Sequence, residues 1–265
     1  MRDARSVETT QESIHHLWDE LAAFGAAESD TALLHLLGSV AAMVDAQNAY
    51  WMGVVRTTDD QRDPLLGWRP RRTVYLHPVP NDEKSIHETI RQINRGTVDE
   101  LTAAHARMAG TFRARRMCDV VSPRWYKSDT YKEYASRGVY GALVVGAPVS
   151  PTAESYYCFL RMREPKRFTE EQRDIAFHAL RGLTWFHRQV MLAHGLLVAR
   201  SPLSPLERKV LALLLTDRSE KAMAADLGVS PSSLHTYVRD IFRKFGVSGR
   251  TGLVALWLGG QSDPP

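Results

Sequence analysis

Ser232, Thr236, Arg239 and Arg243 recur on one side of a predicted helix, with His235 at the edge of that side. Hydroxyls and guanidinium groups on a helical face supply hydrogen-bond donors and positive charge. In a DNA major groove, arginine can reach the acceptor edge of guanine, and hydroxyls can reach phosphates or bases. The residues near the start of this helix are small and the face holds no glutamate, although Asp240 also lies on it and opposes non-specific attraction to phosphate. Any solvated surface helix is polar outside, so the face acquires meaning only from the elements that hold it.

Those elements run from Leu203 to Leu258. Ser204-Pro205 with Glu207 is a helix start: a serine cap, proline at the first helical position and a glutamate placed to close a capping box. Val210, Leu211 and Leu214 continue it as an apolar stripe. Ser219 can cap a second helix, carrying Met223, Ala224 and Leu227, which Gly228 can end in a left-handed conformation. Ser230-Pro231 opens a third helix. Its Leu234, Val238, Ile241, Phe242 and Phe245 share one side and are expected to be buried. A short helix, a tight turn over 227–230 and a longer helix form a helix-turn-helix pattern.

Leu203 to Leu258 resembles the DNA-binding domain of LuxR-type transcriptional regulators. The residues that carry the likeness are LSPLERKVL, the small residues around Ala224-Ala225, LGVS, RKFGV and SGRTGLVAL, about a fifth of the chain without a gap. The resemblance implies an all-α four-helix helix-turn-helix domain. In it the third helix reads the major groove, and a last helix, roughly Arg250 to Leu258, forms a dimer contact. It also implies base-facing roles for His235, Thr236 and Arg239, and DNA-backbone contacts from Lys221, Ser232, Ser233, Tyr237, Arg243 and Lys244. The family usually has lysine where this chain has His235, and often histidine where it has Tyr237, which shifts the expected target sequence.

The first 198 residues alternate differently. Helices are expected over 11–24, 30–46, 81–94, 99–108 and 122–136, and strands over 49–56, 73–77, 139–149 and 155–163, with 57–70 a loop. Thr169 and Gln172 form a capping box for a long helix expected to reach Leu197. Along it Ile175, Leu180, Leu183, Phe186, Val190 and Leu197 could pack on a sheet and also pair with a second copy. This order resembles a GAF-type or PAS-type sensory domain with an antiparallel sheet, a plan shared by the autoinducer-binding domains of LuxR-type regulators. The expected fold is therefore α+β: a sensory domain over 1–198, a linker at 199–202, and the helix-turn-helix over 203–265.

Trp51, Trp68, Tyr75, Trp125 and Tyr131 are the candidate lining of a small-molecule pocket, with Tyr126 and Tyr134 nearby in sequence. Plain core packing is the competing reading of each. The tryptophan–tyrosine–aspartate set of the autoinducer-binding relatives does not map onto this chain, so an acyl-homoserine lactone is not expected. Arg69, Arg71 and Arg72, and again Arg113, Arg115 and Arg116, read as charge on solvated loops rather than as sites for an anionic ligand or for DNA. His187 and His194 share a helical face and His178 points away. No metal-ligand spacing, glycine-rich phosphate loop or nucleophile motif is present, so neither a metal, a cofactor nor an enzyme is expected.

Of the 265 residues 44% are hydrophobic, as in a globular chain, and the net charge is only +4. The last 65 residues hold eight Lys and Arg against six Asp and Glu, so the helix face and not bulk charge makes the case for nucleic acid. Cys118 and Cys158 are the only cysteines and read as reduced, buried thiols. Without a secretory leader or a membrane-spanning run, a cytoplasmic protein is expected. The composite expectation is a homodimeric transcription regulator that binds double-stranded DNA under the control of a small-molecule or protein signal. The rival is a regulator whose helix-turn-helix docks on another factor or on RNA polymerase without binding DNA alone.

Overall fold

The computed structural model describes residues 2–78, 98–163, 166–197 and 203–259. The helix expected over 81–94 and the linker at 199–202 lie outside them. The chain clusters into two compact units, Met1–Leu21 with Leu33–Thr184, and Ala22–Ala32 with Trp185–Pro265.

The first unit is built on a five-stranded antiparallel sheet. Its strands are β1 (Asn48–Arg56), β2 (Trp68–Tyr75), β3 (Arg113–Arg116), β4 (Gly141–Ser150) and β5 (Ala153–Arg161), in the spatial order β2-β1-β5-β4-β3. Its helices are α1 (Arg2–Ala23), α2 (Ser29–Met43), α3 (Glu100–Arg107), α4 (Met117–Val120), α5 (Asp129–Ser136) and α6 (Glu170–Arg181). Every residue of β5 is buried, because the central strand is covered on both faces and cannot alternate polar with apolar. Trp51, Leu143, Val145, Tyr157 and Phe159 share one face by register. On the other, Val54, Tyr156, Cys158, Leu160 and Val144 form a layer with Trp68, Leu101, Met117, Val121 and Trp125.

Several elements differ from the sequence reading, each for a physical reason. The second strand begins at Trp68, inside the expected loop, since Pro70 sits on an edge strand where its missing N–H costs no ladder bond. The helix expected over 122–136 is a 3₁₀ turn at Trp125–Lys127 followed by α5, capped anew by Ser128. The long helix expected from Thr169 to Leu197 is broken. The Thr169–Gln172 box opens α6 as expected, but α6 ends at Arg181 and α7 (Thr184–Ala193) starts afresh. Gly182 stands between them, and a Cβ there would meet the Trp18 ring at 2.8 Å. Trp18 in turn donates to the carbonyl of Ala179 at 2.8 Å, so the break seats an indole against α6. α7, expected within the first domain, groups with the second unit. Of the expected stripe, Leu180, Leu183, Phe186 and Val190 are buried within the single chain, whereas Ile175 and Leu197 are half-buried.

The Arg113–Arg116 cluster is β3, not a solvated loop. Arg113 is 4% exposed and forms an ion pair with Glu154, 0% exposed, at 2.9 Å. A second bond to Glu154, at 3.1 Å, and donations to the carbonyls of Thr111 and His105 engage both terminal nitrogens of the fork, while Nε stays buried without a partner. Gly146 makes room for it: a Cβ there would lie 2.6 Å from the guanidinium carbon. Of the other cluster, Arg69 lies on β2 and pairs with Asp63 at 2.8 Å. Cys158 is buried, whereas Cys118 is only half-buried.

His105 of α3 is buried beside this centre, and neither ring nitrogen has a hydrogen-bond partner. Burial first, and then the charges of Arg113 and Arg115, push its pKa down to about 4. The unfolded chain protonates histidine near 6.5, so between pH 6.5 and 4 the unfolded state binds the extra proton and His105 lowers stability as pH falls. Across that window the loss attributable to His105 is expected to be roughly 3 kcal/mol. Urea unfolding at pH 7 and pH 4.5 should show a smaller acid-induced loss in His105→Leu than in the parent chain. An identical loss in both would show that His105 does not titrate in this way.

Candidate nucleic-acid interface

Four helices form the carboxy-terminal part of the second unit: α8 (Pro205–Leu214), α9 (Glu220–Leu227), α10 (Pro231–Phe245) and α11 (Arg250–Trp257). The expected local signals operate. Ser204 Oγ accepts from Glu207 N at 3.2 Å while Glu207 Oε2 accepts from Ser204 N at 2.8 Å, a reciprocal box. Ser219 and Ser230 cap α9 and α10 through the N–H groups of Ala222 and Ser233. Gly228 ends α9 at φ 64°, a backbone state that a side chain would strain, and only Val229 and Ser230 separate it from α10.

Leu234, Val238, Ile241 and Phe245 of α10 are buried in one core with Val210, Leu211, Leu214, Met223, Leu253, Leu256 and Trp257. Phe242, expected with them, is only half-buried at the edge of that core. Fixing this stripe fixes the helix's rotation. Ser232, Ser233, His235, Thr236, Arg239 and Arg243 are consequently exposed, as is Lys221 on α9, while Tyr237 and Lys244 are half-buried.

These side chains are not equally free. Arg239 and Lys221 have no ion-pair partner among the described residues. Arg243 is held by Asp240 at 2.8 Å. Lys244 binds Glu207 of α8 at 2.6 Å, tying the end of α10 to the start of α8. Partial burial alone would raise the Glu207 carboxyl, but the bonds from Lys244 and Ser204 outweigh it and hold it below the usual carboxylate range. His235 Nδ1 faces Glu220 Oε2 at 3.3 Å, and Thr236 donates to the carbonyl of Ser232 at 3.1 Å.

Arg250 is a key residue that sequence reasoning passed over. Its guanidinium donates to the carbonyls of Leu214 at 2.7 Å, Arg218 at 2.7 Å, Leu213 at 3.1 Å and Thr216. The last carbonyls of a helix have no partner within it, and a planar five-donor fork can serve several at once. Nothing at Arg250 in sequence points to carbonyls 32–37 residues away. The segment Ala22–Ala32 also belongs to this unit: Asp30 pairs with Arg208 of α8 at 2.7 Å and lies 3.4 Å from the buried His194.

The aromatic candidates of the first unit divide. Trp68, Trp125 and Tyr131 meet in one layer, with Trp125 and Tyr131 centroids 5.3 Å apart. Tyr75 joins that face through Tyr50 at 5.1 Å. Trp51 lies on the opposite face, where its Nε1 donates to Ser155 Oγ at 3.0 Å. The indole nitrogen of Trp125 is buried without a partner.

Three helices with a three-residue link before an exposed basic face, closed by a fourth, define a helix-turn-helix domain. Residues 201–257 match the family model GerE, bacterial regulatory proteins of the luxR family, and this part of the chain is a helix-turn-helix domain of that family. No curated protein is matched. Among solved structures, SdiA in complex with octanoyl-rac-glycerol is 10% identical over 96% of this chain and 97% of its own, with a TM-score of 0.46. The N-acylhomoserine lactone dependent LuxR family factor CepR2 from Burkholderia cenocepacia is 15% identical over 69% and 96%, at 0.47. The VqsR LBD domain from Pseudomonas aeruginosa is 12% identical over 69% and 96%, at 0.45.

Arg250→Ala should destabilise the second unit by about 2 kcal/mol, the cost of orphaned carbonyls. Arg250→Lys should restore less than half of that, because one ammonium cannot serve four acceptors. Urea unfolding followed by far-ultraviolet circular dichroism, which reports the helices of this unit, reads both. Full rescue by lysine would mean that charge, not the fork, holds the helix end.

Proposed function

We propose that the chain is a transcription regulator that binds double-stranded DNA sequence-specifically through α10. The observation that carries this is the unpaired, exposed Arg239, set between Thr236 and His235 on a helix whose opposite side is locked in a core. In this reading Arg239, Thr236 and His235 face base edges, and Lys221, Ser232, Ser233, Tyr237, Arg243 and Lys244 face the sugar-phosphate backbone. A single recognition helix reads few base pairs, so the active form is a homodimer on half-sites about one helical turn apart.

A surface for that homodimer is available on α11. Thr251, Val254, Ala255 and Leu258 are all exposed at the i, i+3, i+4, i+7 spacing of one helical face, and Leu258 is 83% exposed. The signal, a small molecule or a protein, acts on the first unit. Its small-molecule site is the layer holding Trp68, Trp125 and Tyr131 with Tyr75 at its margin, where the unpartnered Trp125 N–H offers a donor. Trp51 stabilises the other face of the sheet.

Selection from random DNA at stated salt should return a two-fold sequence, and Arg239→Ala should cost about 1–3 kcal/mol on that sequence while leaving random DNA nearly unaffected. Asp240→Asn, which frees Arg243, should instead tighten binding to all sequences by up to about fivefold, the worth of an exposed ion pair. If Arg239→Ala left the preference intact, or no sequence were enriched, the docking of this domain on another regulator or on RNA polymerase would be the better reading.

Leu258→Glu should convert a dimer to a monomer in light scattering and weaken binding to a full two-fold site far more than to a half-site. Unchanged mass would remove α11 from the dimer contact.

A further inference from the structure

A cavity of about 420 Å³ opens in the first unit at the sheet edge formed by β3. Its walls come from the end of α3, from β3 and from α6, and include Arg107, Arg113, Arg115, Met108, Phe112 and Phe177. That volume suits a small molecule. Three arginines line it, and among the described residues no carboxylate does. Glu154, the buried partner of Arg113, accepts from that guanidinium and from the backbone N–H of Gly110 at 2.6 Å.

Arg113 is therefore scaffold, although its Nε is buried with no hydrogen-bond partner. The other two arginines have no acidic partner among the described residues. Arg115 is exposed and, among those residues, donates to the carbonyl of its neighbour Ala114, at 3.1 Å. Arg107 is exposed with no ion-pair partner among the described residues. Phe112 and Phe177 stand edge to face at 5.2 Å between centroids, and the Arg181 guanidinium lies 5.1 Å from the Phe112 ring, a further cation at the same wall. Among the described residues β3 is an edge strand, so the cavity lies at the margin of the sheet.

We propose that this cavity binds a small organic anion with a flat apolar body, a carboxylate or phosphate engaged by Arg107 and Arg115 and a ring system set against Phe112 and Phe177. The geometry favours such a ligand because cation and aromatic wall sit side by side: forked donors match a planar carboxylate or a phosphate, and ring edges match an aromatic face. The site is separate from the layer of Trp68, Trp125 and Tyr131, and the inference is independent of DNA binding.

The test is calorimetric titration of the full chain with 1-naphthoate, its neutral analogue 1-naphthalenemethanol, and inorganic phosphate. Naphthoate is expected to bind at least tenfold more tightly than the alcohol and than phosphate. In the Arg107→Gln/Arg115→Gln chain, naphthoate should bind at least tenfold more weakly. Arg107→Lys/Arg115→Lys should restore part of the loss, and Lys132→Gln, on the distant α5 surface, should change nothing. An unchanged melting temperature in the glutamine variant shows that the fold is intact. Naphthoate binding that survives loss of both arginines, equal binding of the alcohol, or no heat at millimolar naphthoate would each overturn the proposal. Phosphate binding as tightly as naphthoate would overturn its aromatic half and leave a plain anion site.

Discussion

The rotational setting of α10 is decided by hydrophobic burial, and the interface is a consequence of that setting. Each of Leu234, Val238, Ile241 and Phe245 stabilises the helix in its seat by roughly 1.5–3 kcal/mol. The exposed ion pair of Arg243 with Asp240 contributes at most about 1 kcal/mol. The core therefore outweighs the surface in aiming the helix by a wide margin. A shift of one residue would turn the stripe by about 100° and carry Arg239 toward the interior. Everything said of Arg239, Thr236 and His235 depends on that not happening.

The helix-turn-helix was legible because its signals are local. A cap three residues from its N–H partner, a proline at the first helical position and a left-handed glycine act within a single turn and can be read without knowledge of the fold. β3 was not legible for the opposite reason. Four residues reading Arg-Ala-Arg-Arg look like a solvated loop, and only the long-range partners Glu154 and Gly146 make one of those charges tolerable inside. The break between α6 and α7 was missed likewise: Gly182 is a mild helix weakener on its own, and the indole that takes advantage of it comes from 164 residues earlier. Trp51 and Trp68 look equivalent in sequence, and strand register alone puts them on opposite faces.

Arginine is used in this chain largely as a structural fork. Arg113 closes a buried carboxylate, Arg250 gathers carbonyls at the end of α8, and Arg161 is buried against Asp45 at 2.5 Å. Formal net charge consequently overstates the positive charge available to a partner. On the exposed face of α10 and its neighbour α9, Arg243 and Lys244 are already engaged within the protein, which leaves Arg239 and Lys221 as cations with no ion-pair partner among the described residues.

The Arg250 fork also bears on the order of events during synthesis. A ribosome releases α8, α9 and α10 first, with the carbonyls at the end of α8 still facing water. Their donors, together with Leu253, Leu256 and Trp257 of the core, emerge only with the last helix. α10 can be made early, but it acquires a rigid mount only once α11 has followed it, so a product truncated before α11 lacks a fixed setting for that helix.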